Sequence, residues 1–232
     1  MKGLTVTILL WLATFAGISQ LAFEWESVFE NTRPIDLHVD DMGNAYIIAN
    51  YDGGSGRALR IQKVTTAGEP DWTYDYSSPL WPWSEWYTAK ILKNNRGDIV
   101  FAASQPGKIV VGKLSKNGDE LWRIDSLDIG TSVGGLEISI SASDQIFLLQ
   151  ADNRSIESRS KLVKIDSDGQ LVWTRSLSED MDNSRFSAIE QLSLGRVIVS
   201  GNVNLSEYQG NIAGGKPAIV TYDSHGDILW QH

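Results

Sequence analysis

Apolar and polar residues alternate over short segments of this chain, and turn-forming residues separate those segments. Leu136–Ile140 alternates with a period of two, which predicts a half-buried β-strand. Gln145–Gln150 is almost continuously apolar, as is typical of a strand covered on both faces. Leu162–Ile165 and Leu171–Arg175 flank a tight turn at Asp166–Gly169. Together these segments predict four consecutive antiparallel strands.

The same order of strands recurs along the chain and is marked each time by a Gly and by a Trp four residues after it. A Lys or a Thr precedes each Gly by five residues. The Gly–Trp pairs are Gly68–Trp72, Gly118–Trp122, Gly169–Trp173 and Gly226–Trp230. The spacing within each pair is constant and the spacing between pairs varies, which is typical of repeat proteins. With no amphipathic helical period after residue 22, the pattern predicts an all-β propeller of about four four-stranded blades.

Two of these repeats resemble those of a known family. Lys113–Trp122 and Lys164–Trp173 are similar to the repeats of bacterial PQQ-like β-propeller proteins. In that family the Trp of the outer strand packs against the adjacent blade, so the resemblance implies this role for the four repeat Trp residues. The resemblance extends from about Phe23 to the C-terminus. It implies a fold and no particular activity, because such repeats occur in enzymes and in assembly scaffolds alike.

The N-terminus has the features of an export signal. Lys2 precedes the apolar stretch Leu4–Ala16, and the small residues Gly17 and Ser19 follow it. The apolar stretch is shorter than the roughly 20 residues that span a bilayer. We therefore expect a signal peptide at residues 1–22, a propeller domain at residues 23–232, and a secreted or periplasmic protein. A membrane anchor formed by the same segment is the alternative.

Composition narrows the classes of partner. The formal net charge is −9, and the 20 Lys and Arg residues are scattered singly along the chain, which disfavours binding to nucleic acid. The chain contains no Cys, which excludes disulfides, thiolate metal sites and a cysteine nucleophile.

The number of predicted strands favours a truncated or incompletely closed propeller over a self-contained four-bladed ring. Phe23–Phe29 resembles the Trp-bearing outer strand of a further blade, and four complete units follow it. The chain is then either the front of a longer propeller or an open arc whose ends meet a partner or a second copy. In the second case the open blade edges are available for self-association.

Candidate binding residues lie on one face of the predicted propeller. In each blade the loop between strands two and three and the link to the next blade lie opposite the two short turns. We call this side the variable-loop face, because its loops differ in length and sequence, and binding usually occurs at such loops. Its candidate ligand-binding residues are Trp81, Trp83, Trp86, Tyr87, Tyr51, Tyr208 and Asn211. Alternatively the three Trp side chains fold back to plug the inner funnel of the propeller or to cover an open blade edge, and Tyr208–Gly215 is a flexible loop.

Chemical motifs are scarce. Asp166–Gly169 lacks the further carboxylates of a calcium loop and is predicted to be a hairpin turn. The spacing of His38, His225 and His232 does not suggest metal ligation. We assign no catalytic, cofactor-binding or metal-binding residue and expect no cofactor. The sequence favours an exported non-enzymatic module that binds a protein or a glycan. The alternative is an incomplete portion of a PQQ-like oxidoreductase or of another propeller enzyme.

Overall fold

A computed structural model describes residues 29–53, 56–77, 88–105, 108–127, 135–151, 160–177, 184–208, 211–213 and 215–232. The predicted signal peptide lies outside the described residues, and so does the strand predicted at Phe23–Phe29 apart from its last residue. Trp81, Trp83, Trp86 and Tyr87 also lie outside them.

The described residues form four four-stranded antiparallel sheets, in which the strands follow one another in chain order. Sheet 1 contains β1 (Thr32–Val39), β2 (Ala45–Asp52), β3 (Arg57–Val64) and β4 (Pro70–Tyr76). Sheet 2 contains β5 (Thr88–Lys93), β6 (Ile99–Gln105), β7 (Lys108–Leu114) and β8 (Glu120–Leu127). Sheet 3 contains β9 (Leu136–Ile140), β10 (Ile146–Gln150), β11 (Lys161–Ile165) and β12 (Leu171–Ser176). Sheet 4 contains β13 (Arg185–Gln191), β14 (Val197–Val203), β17 (Lys216–Tyr222) and β18 (Ile228–Gln231).

A two-stranded hairpin of β15 (Ser206–Tyr208) and β16 (Asn211–Ala213) is inserted between β14 and β17 of sheet 4. The sequence did not predict this hairpin, because its short strands lack an alternation of apolar and polar residues. In the described ranges the chain has one short 3-10 turn, Ser193–Gly195, and no helix long and apolar enough to cross a membrane.

The repeat spacing has a direct explanation in the strand register. Each repeat Trp pairs across the sheet with the Lys or Thr of its own repeat: Lys63↔Trp72, Lys113↔Trp122, Lys164↔Trp173 and Thr221↔Trp230. The register shifts immediately after this pair in every sheet, as it does at a β-bulge. The bulge and the turn that follows it fix the distance between the Lys or Thr and the Trp.

Seven of the eight short turns are closed by their own first side chains, and the turn at Leu192–Arg196 is closed by backbone hydrogen bonds. Asp166 Oδ1 accepts hydrogen bonds from the backbone N–H groups of Asp168 and Gln170, at 3.0 and 2.8 Å. Gly169 has a φ of 84°, which a residue without a Cβ adopts at little cost. The hairpin turn predicted for Asp166–Gly169 is therefore confirmed. Asp40, Thr65, Asn94, Ser115, Ser141 and Asp223 accept equivalent bonds in the other turns.

The sheets follow one another in space as they do in sequence. The first strand of each sheet contacts the first strand of the next, from β1 to β5, β9 and β13. Three apolar cores fill the spaces between consecutive sheets. Among the buried residues are Tyr46, Ile91 and Phe101 in the first core, Val100, Ile138 and Val163 in the second, and Phe147, Val199 and Tyr222 in the third. This arrangement confirms the predicted all-β propeller of four-stranded antiparallel blades.

Candidate functional site

The repeat Trp residues join consecutive sheets. Trp72 Nε1 donates a hydrogen bond to the carbonyl of Lys116 at 3.0 Å. Trp122 Nε1 donates to the carbonyl of Ser167 at 3.0 Å, and Trp173 Nε1 to that of Ser224 at 3.1 Å. Each acceptor lies two residues before the repeat Gly of the following sheet. The role that the family resemblance implied is therefore confirmed for these three Trp residues.

The repeat Gly residues make room for the indole rings. A Cβ atom on Gly118 would lie 2.7 Å from the ring of Trp72, and one on Gly169 would lie 2.7 Å from the ring of Trp122. The corresponding distance from Gly226 to the ring of Trp173 is 3.1 Å. Since both the positive φ and the close ring require Gly, the Gly–Trp repeat records contacts between sheets as well as a turn.

Two of the repeat Lys residues also reach the following sheet. Lys164 is buried, and its Nζ donates to the carbonyl of Ser224 at 2.9 Å; burial lowers the pKa of Lys164. Lys113 is buried too, and its Nζ lies 3.6 Å from Asp144 Oδ2 in sheet 3. Lys63 instead pairs with Asp71 of its own sheet at 2.7 Å. The repeat pattern alone does not distinguish these Lys residues from one another, because they occupy the same position in each repeat.

Asp144 replaces the Gly found in the first turns of sheets 1 and 2. It has a φ of 62°, which non-Gly residues rarely adopt, and it is buried. Arg96 Nε lies 3.1 Å from its Oδ2, and Lys113 also pairs with Asp98 at 3.3 Å. The carboxylate of Asp144 therefore sits in a cationic environment that offsets the loss of its hydration.

A cleft of about 420 Å³ lies between sheets 2 and 3, on the side of the short turns. Its lining residues are Arg96, Asp98, Lys113, Leu121, Trp122, Ser167 and Asp168. The cationic groups of Arg96 and Lys113 already pair with carboxylates, and the indole N–H of Trp122 already has its acceptor. We interpret this cleft as part of the contact between sheets.

A second polar cluster joins sheets 1 and 2 at the variable-loop side. Tyr76 is buried, and its hydroxyl donates to Asp125 Oδ1 at 2.9 Å and accepts from Lys108 Nζ at 3.1 Å. Burial lowers the pKa of Lys108. In the same cluster, Tyr74 donates to Glu120 and accepts from Arg123, and burial raises the pKa of Tyr74 to about 12. The sequence did not reveal this cluster, because its members lie far apart in the chain and in no motif.

The variable-loop face carries the long connections, as predicted. The β15–β16 hairpin and the links between sheets all lie at this end of the strands. Tyr208 and Asn211 pair in register in the hairpin, so the structure places these two candidate residues side by side along the backbone. The other candidates in the link after sheet 1 are outside the described residues, so their predicted binding role remains untested.

Among the candidate binding residues, Tyr51 makes a side-chain contact with Arg60 of the neighbouring strand. The guanidinium carbon of Arg60 lies 3.3 Å from the centroid of the Tyr51 ring. Two hydrogen bonds of 2.7 and 2.6 Å join Arg60 to Asp75, and they raise the pKa of Arg60. The Tyr51 ring therefore makes a cation–π contact with Arg60, and the Asp75 carboxylate fixes the position of the Arg60 guanidinium.

Two small clefts open on the variable-loop face. One has a volume of about 110 Å³ and is lined by Asn31, Arg33, Asn50, Tyr51, Asp52 and Arg57. The other, of about 120 Å³, lies between sheets 3 and 4 and is lined by residues that include Glu137, Arg185 and Phe186. Both are smaller than the roughly 300 Å³ at which small-molecule sites usually begin.

Within the described ranges, no group of three or more His, Asp or Glu side chains is placed to hold a metal ion. His38 lies beside Tyr46 in sheet 1, whereas His225 lies in the last turn of sheet 4.

The repeat geometry agrees with a family assignment. A family model described as outer membrane protein assembly factor BamB matches residues 64–232. This chain belongs to that PQQ-like repeat family. The matched region begins at the last residue of β3 and includes all of sheets 2, 3 and 4.

Solved structures of low sequence identity are also similar to the chain. An exo-β-1,3-galactanase from Phanerochaete chrysosporium is 12% identical, with a TM-score of 0.44 over 87% of this chain and 49% of the galactanase. A gluconolactonase from Xanthomonas campestris is 13% identical, with a TM-score of 0.44 over 76% of this chain and 57% of the lactonase. The chain thus spans about half the length of the galactanase, and neither similarity assigns an activity to it. No curated protein sequence matches it significantly.

Proposed function

We propose that this chain is an exported, non-enzymatic β-propeller module that binds a protein through its variable-loop face. The description of its family supports this proposal, because an assembly factor acts by holding polypeptides together. A glycan is the second class of partner that the sequence favoured, since aromatic rings also stack on sugars.

The observation that carries the proposal is the difference between the two faces. On the short-turn face, backbone carbonyls such as those of Lys116, Ser167 and Ser224 are already used to join the sheets. That face is consequently constrained by the fold. The variable-loop face carries the inserted hairpin and the long links, whose sequences are free to vary with a partner.

The shape of the variable-loop face favours a macromolecule over a small ligand. The described clefts there have volumes of only about 110 and 120 Å³. Tyr51 lines one of them. Its aromatic ring packs against the guanidinium of Arg60, which is itself held by hydrogen bonds to Asp75. Rigid aromatic side chains lose little conformational entropy on binding and often dominate protein interfaces.

The experiment is a binding measurement with immobilised full-length chain. The probes are an outer membrane β-barrel polypeptide diluted from urea and, separately, a set of oligosaccharides. We expect the polypeptide to bind, and we expect Tyr51→Ala and the triple variant Trp81→Ala, Trp83→Ala and Trp86→Ala each to weaken binding by about tenfold or more. Asn117→Ala on the short-turn face is the matched control and should bind like the wild type.

The results of this binding experiment distinguish a protein partner from a glycan partner. Binding of an oligosaccharide in place of the polypeptide, with the same dependence on Tyr51, would identify a glycan as the partner. If neither probe binds, or if Asn117→Ala weakens binding as much as Tyr51→Ala does, the proposal fails. Thermal unfolding of the triple Trp variant distinguishes its two predicted roles, because Trp side chains that cover a blade edge stabilise the fold and displayed ones do not.

A further inference from the structure

The turn between β7 and β8 contains the one Asn-Gly pair of the sequence, Asn117–Gly118. Asn117 is exposed, and the backbone N–H of Gly118 closes the turn on the carbonyl of Ser115 at 2.9 Å. Within the described residues, no hydrogen bond holds the carboxamide of Asn117. By contrast, the carboxamide of Asn94, in the first turn of the same sheet, both accepts and donates hydrogen bonds within its turn.

This pair has the composition that favours cyclisation of the main chain. The backbone nitrogen of Gly118 attacks the Cγ atom of Asn117, because glycine has no Cβ to obstruct the approach. A bond forms between that nitrogen and Cγ, the bond from Cγ to the side-chain nitrogen breaks, and ammonia leaves with the proton of the Gly118 amide. Water then opens the resulting succinimide ring at either carbonyl. The products are aspartate and isoaspartate, and in isoaspartate the main chain runs through Cγ.

The other repeat turns differ from this one at the residue before the repeat Gly. Ala67 and His225, which precede the Gly in sheets 1 and 4, have no side-chain carbonyl. Asp168 in sheet 3 carries a carboxyl group, and a carboxylate has no leaving group comparable to ammonia. Among the four repeat turns, the turn of sheet 2 is therefore the one at which an amide can be lost.

The reactive pair lies inside the contact between sheets 1 and 2. The carbonyl of Lys116 accepts the indole N–H of Trp72 at 3.0 Å, and the ring of Trp72 fills the space beside Gly118. Asn117 connects these two contact residues. Because isoaspartate adds a methylene group to the main chain at this point, the spacing between the Lys116 carbonyl and Gly118 would no longer match the position of the indole ring.

We propose that Asn117 is a site of spontaneous deamidation, and that its isoaspartate product weakens the contact between sheets 1 and 2. The closed turn restrains the reaction, because the attacking nitrogen of Gly118 donates to Ser115 and must first be released. Ser115 Oγ also accepts the backbone N–H groups of Asn117 and Asp119, at 3.1 and 3.2 Å, so this side chain controls the rate. This inference does not depend on the partner proposed for the variable-loop face.

The first test follows the full chain during incubation in mildly alkaline buffer. Mass spectrometry of proteolytic peptides measures the conversion of each Asn, and a methyltransferase specific for isoaspartate identifies that product. We expect conversion at Asn117 and none at Asn95, which is also exposed but precedes Arg96. Asn117→Gln should abolish the reaction, because a longer side chain disfavours the ring. An Asn117 that stays unmodified, or an Asn95 that converts as fast, would overturn the proposal.

Variants of Ser115 test the dependence on turn opening. Ser115→Ala should accelerate the conversion of Asn117 by about fivefold, the factor by which loss of one typical hydrogen bond favours opening. Ser115→Thr is the matched control and should react like the wild type, since Thr65 occupies the same position in the turn of sheet 1. Equal rates in Ser115→Ala and Ser115→Thr would contradict control of the reaction by this turn.

The second test measures the effect of the modification on the fold. Anion-exchange chromatography separates the modified chain, because a carboxylate replaces a neutral amide, and the methyltransferase gives its isoaspartate content. Urea unfolding then compares this fraction with freshly prepared Asn117→Asp, which carries the same charge on an unaltered main chain. We expect the isoaspartate form to unfold at a lower urea concentration and Asn117→Asp to unfold close to the wild type. Equal midpoints would show that the added methylene does not disturb the Trp72 contact, and would overturn the proposed effect on the sheets.

Discussion

A Cβ atom on Gly169 would lie 2.7 Å from the indole ring of Trp122, so the turn of sheet 3 and the outer strand of sheet 2 fit together only because the residue there is Gly. The same turn has a φ of 84° at Gly169. A single position thus meets two separate requirements, one of the backbone and one of the contact between sheets. These requirements can be separated by mutation.

Gly169→Ala should destabilise the protein by about 3 kcal/mol, because the left-handed backbone disfavours Ala and the new methyl group displaces the Trp122 ring. Gly97→Ala is the control. Gly97 has a similar φ of 89°, but its nearest neighbour would be Lys116 Cβ at 3.7 Å, so the control should cost only about 1 kcal/mol. Urea unfolding measures both changes. Equal losses in the two variants would mean that the Trp122 contact contributes nothing at this turn.

Lys113→Met should be costly, because it leaves the buried Asp144 carboxylate without one of its cations. Breaking a buried ion pair from one side typically costs about 3 kcal/mol or more. Lys63→Met changes the same repeat position in sheet 1, where the partner Asp71 is exposed, and should cost less than about 1 kcal/mol. Equilibrium unfolding in urea compares the two variants.

A second substitution, at Asp144, tests whether the loss of stability in Lys113→Met comes from the Asp144 carboxylate. Adding Asp144→Asn to Lys113→Met should recover part of the lost stability, because Asn tolerates a positive φ and carries no charge. If the double variant is as unstable as the sum of the two single variants, then Lys113 and Asp144 are not energetically coupled.

The sequence predicted the parts of this fold that local pattern determines. The four strands of sheet 3 lie within a residue of the predicted segments, because alternation and turn residues act over short distances. The cluster around Tyr76 was missed, because its partners Lys108 and Asp125 come 32 and 49 residues later and meet it only after two sheets have packed together. The same limit applies to Lys113, whose distinct environment depends on Asp144 in another sheet.

Tyr46 provides a test of the electrostatics in sheet 1. Burial, the nearby Asp40 carboxylate and a hydrogen bond to that carboxylate raise the pKa of Tyr46 to about 12. A raised pKa means that protonated Tyr46 stabilises the fold fully below the unfolded value of about 10, and that this stabilisation is lost as the pH rises through about 12. Asp40→Asn removes the charge and should preserve the turn, because Asn94 makes the same backbone bonds in sheet 2.

In Asp40→Asn we therefore expect Tyr46 to ionise at a lower pH than in the wild type, although still above the value for an exposed tyrosine, because burial is the largest cause of the shift. The tyrosinate absorbance of each protein, minus that of the same protein carrying Tyr46→Phe, isolates this residue from the other tyrosines. An unchanged midpoint would show that the Asp40 carboxylate does not influence Tyr46. A midpoint at the exposed value would show instead that the charge, and not burial, accounts for the whole shift.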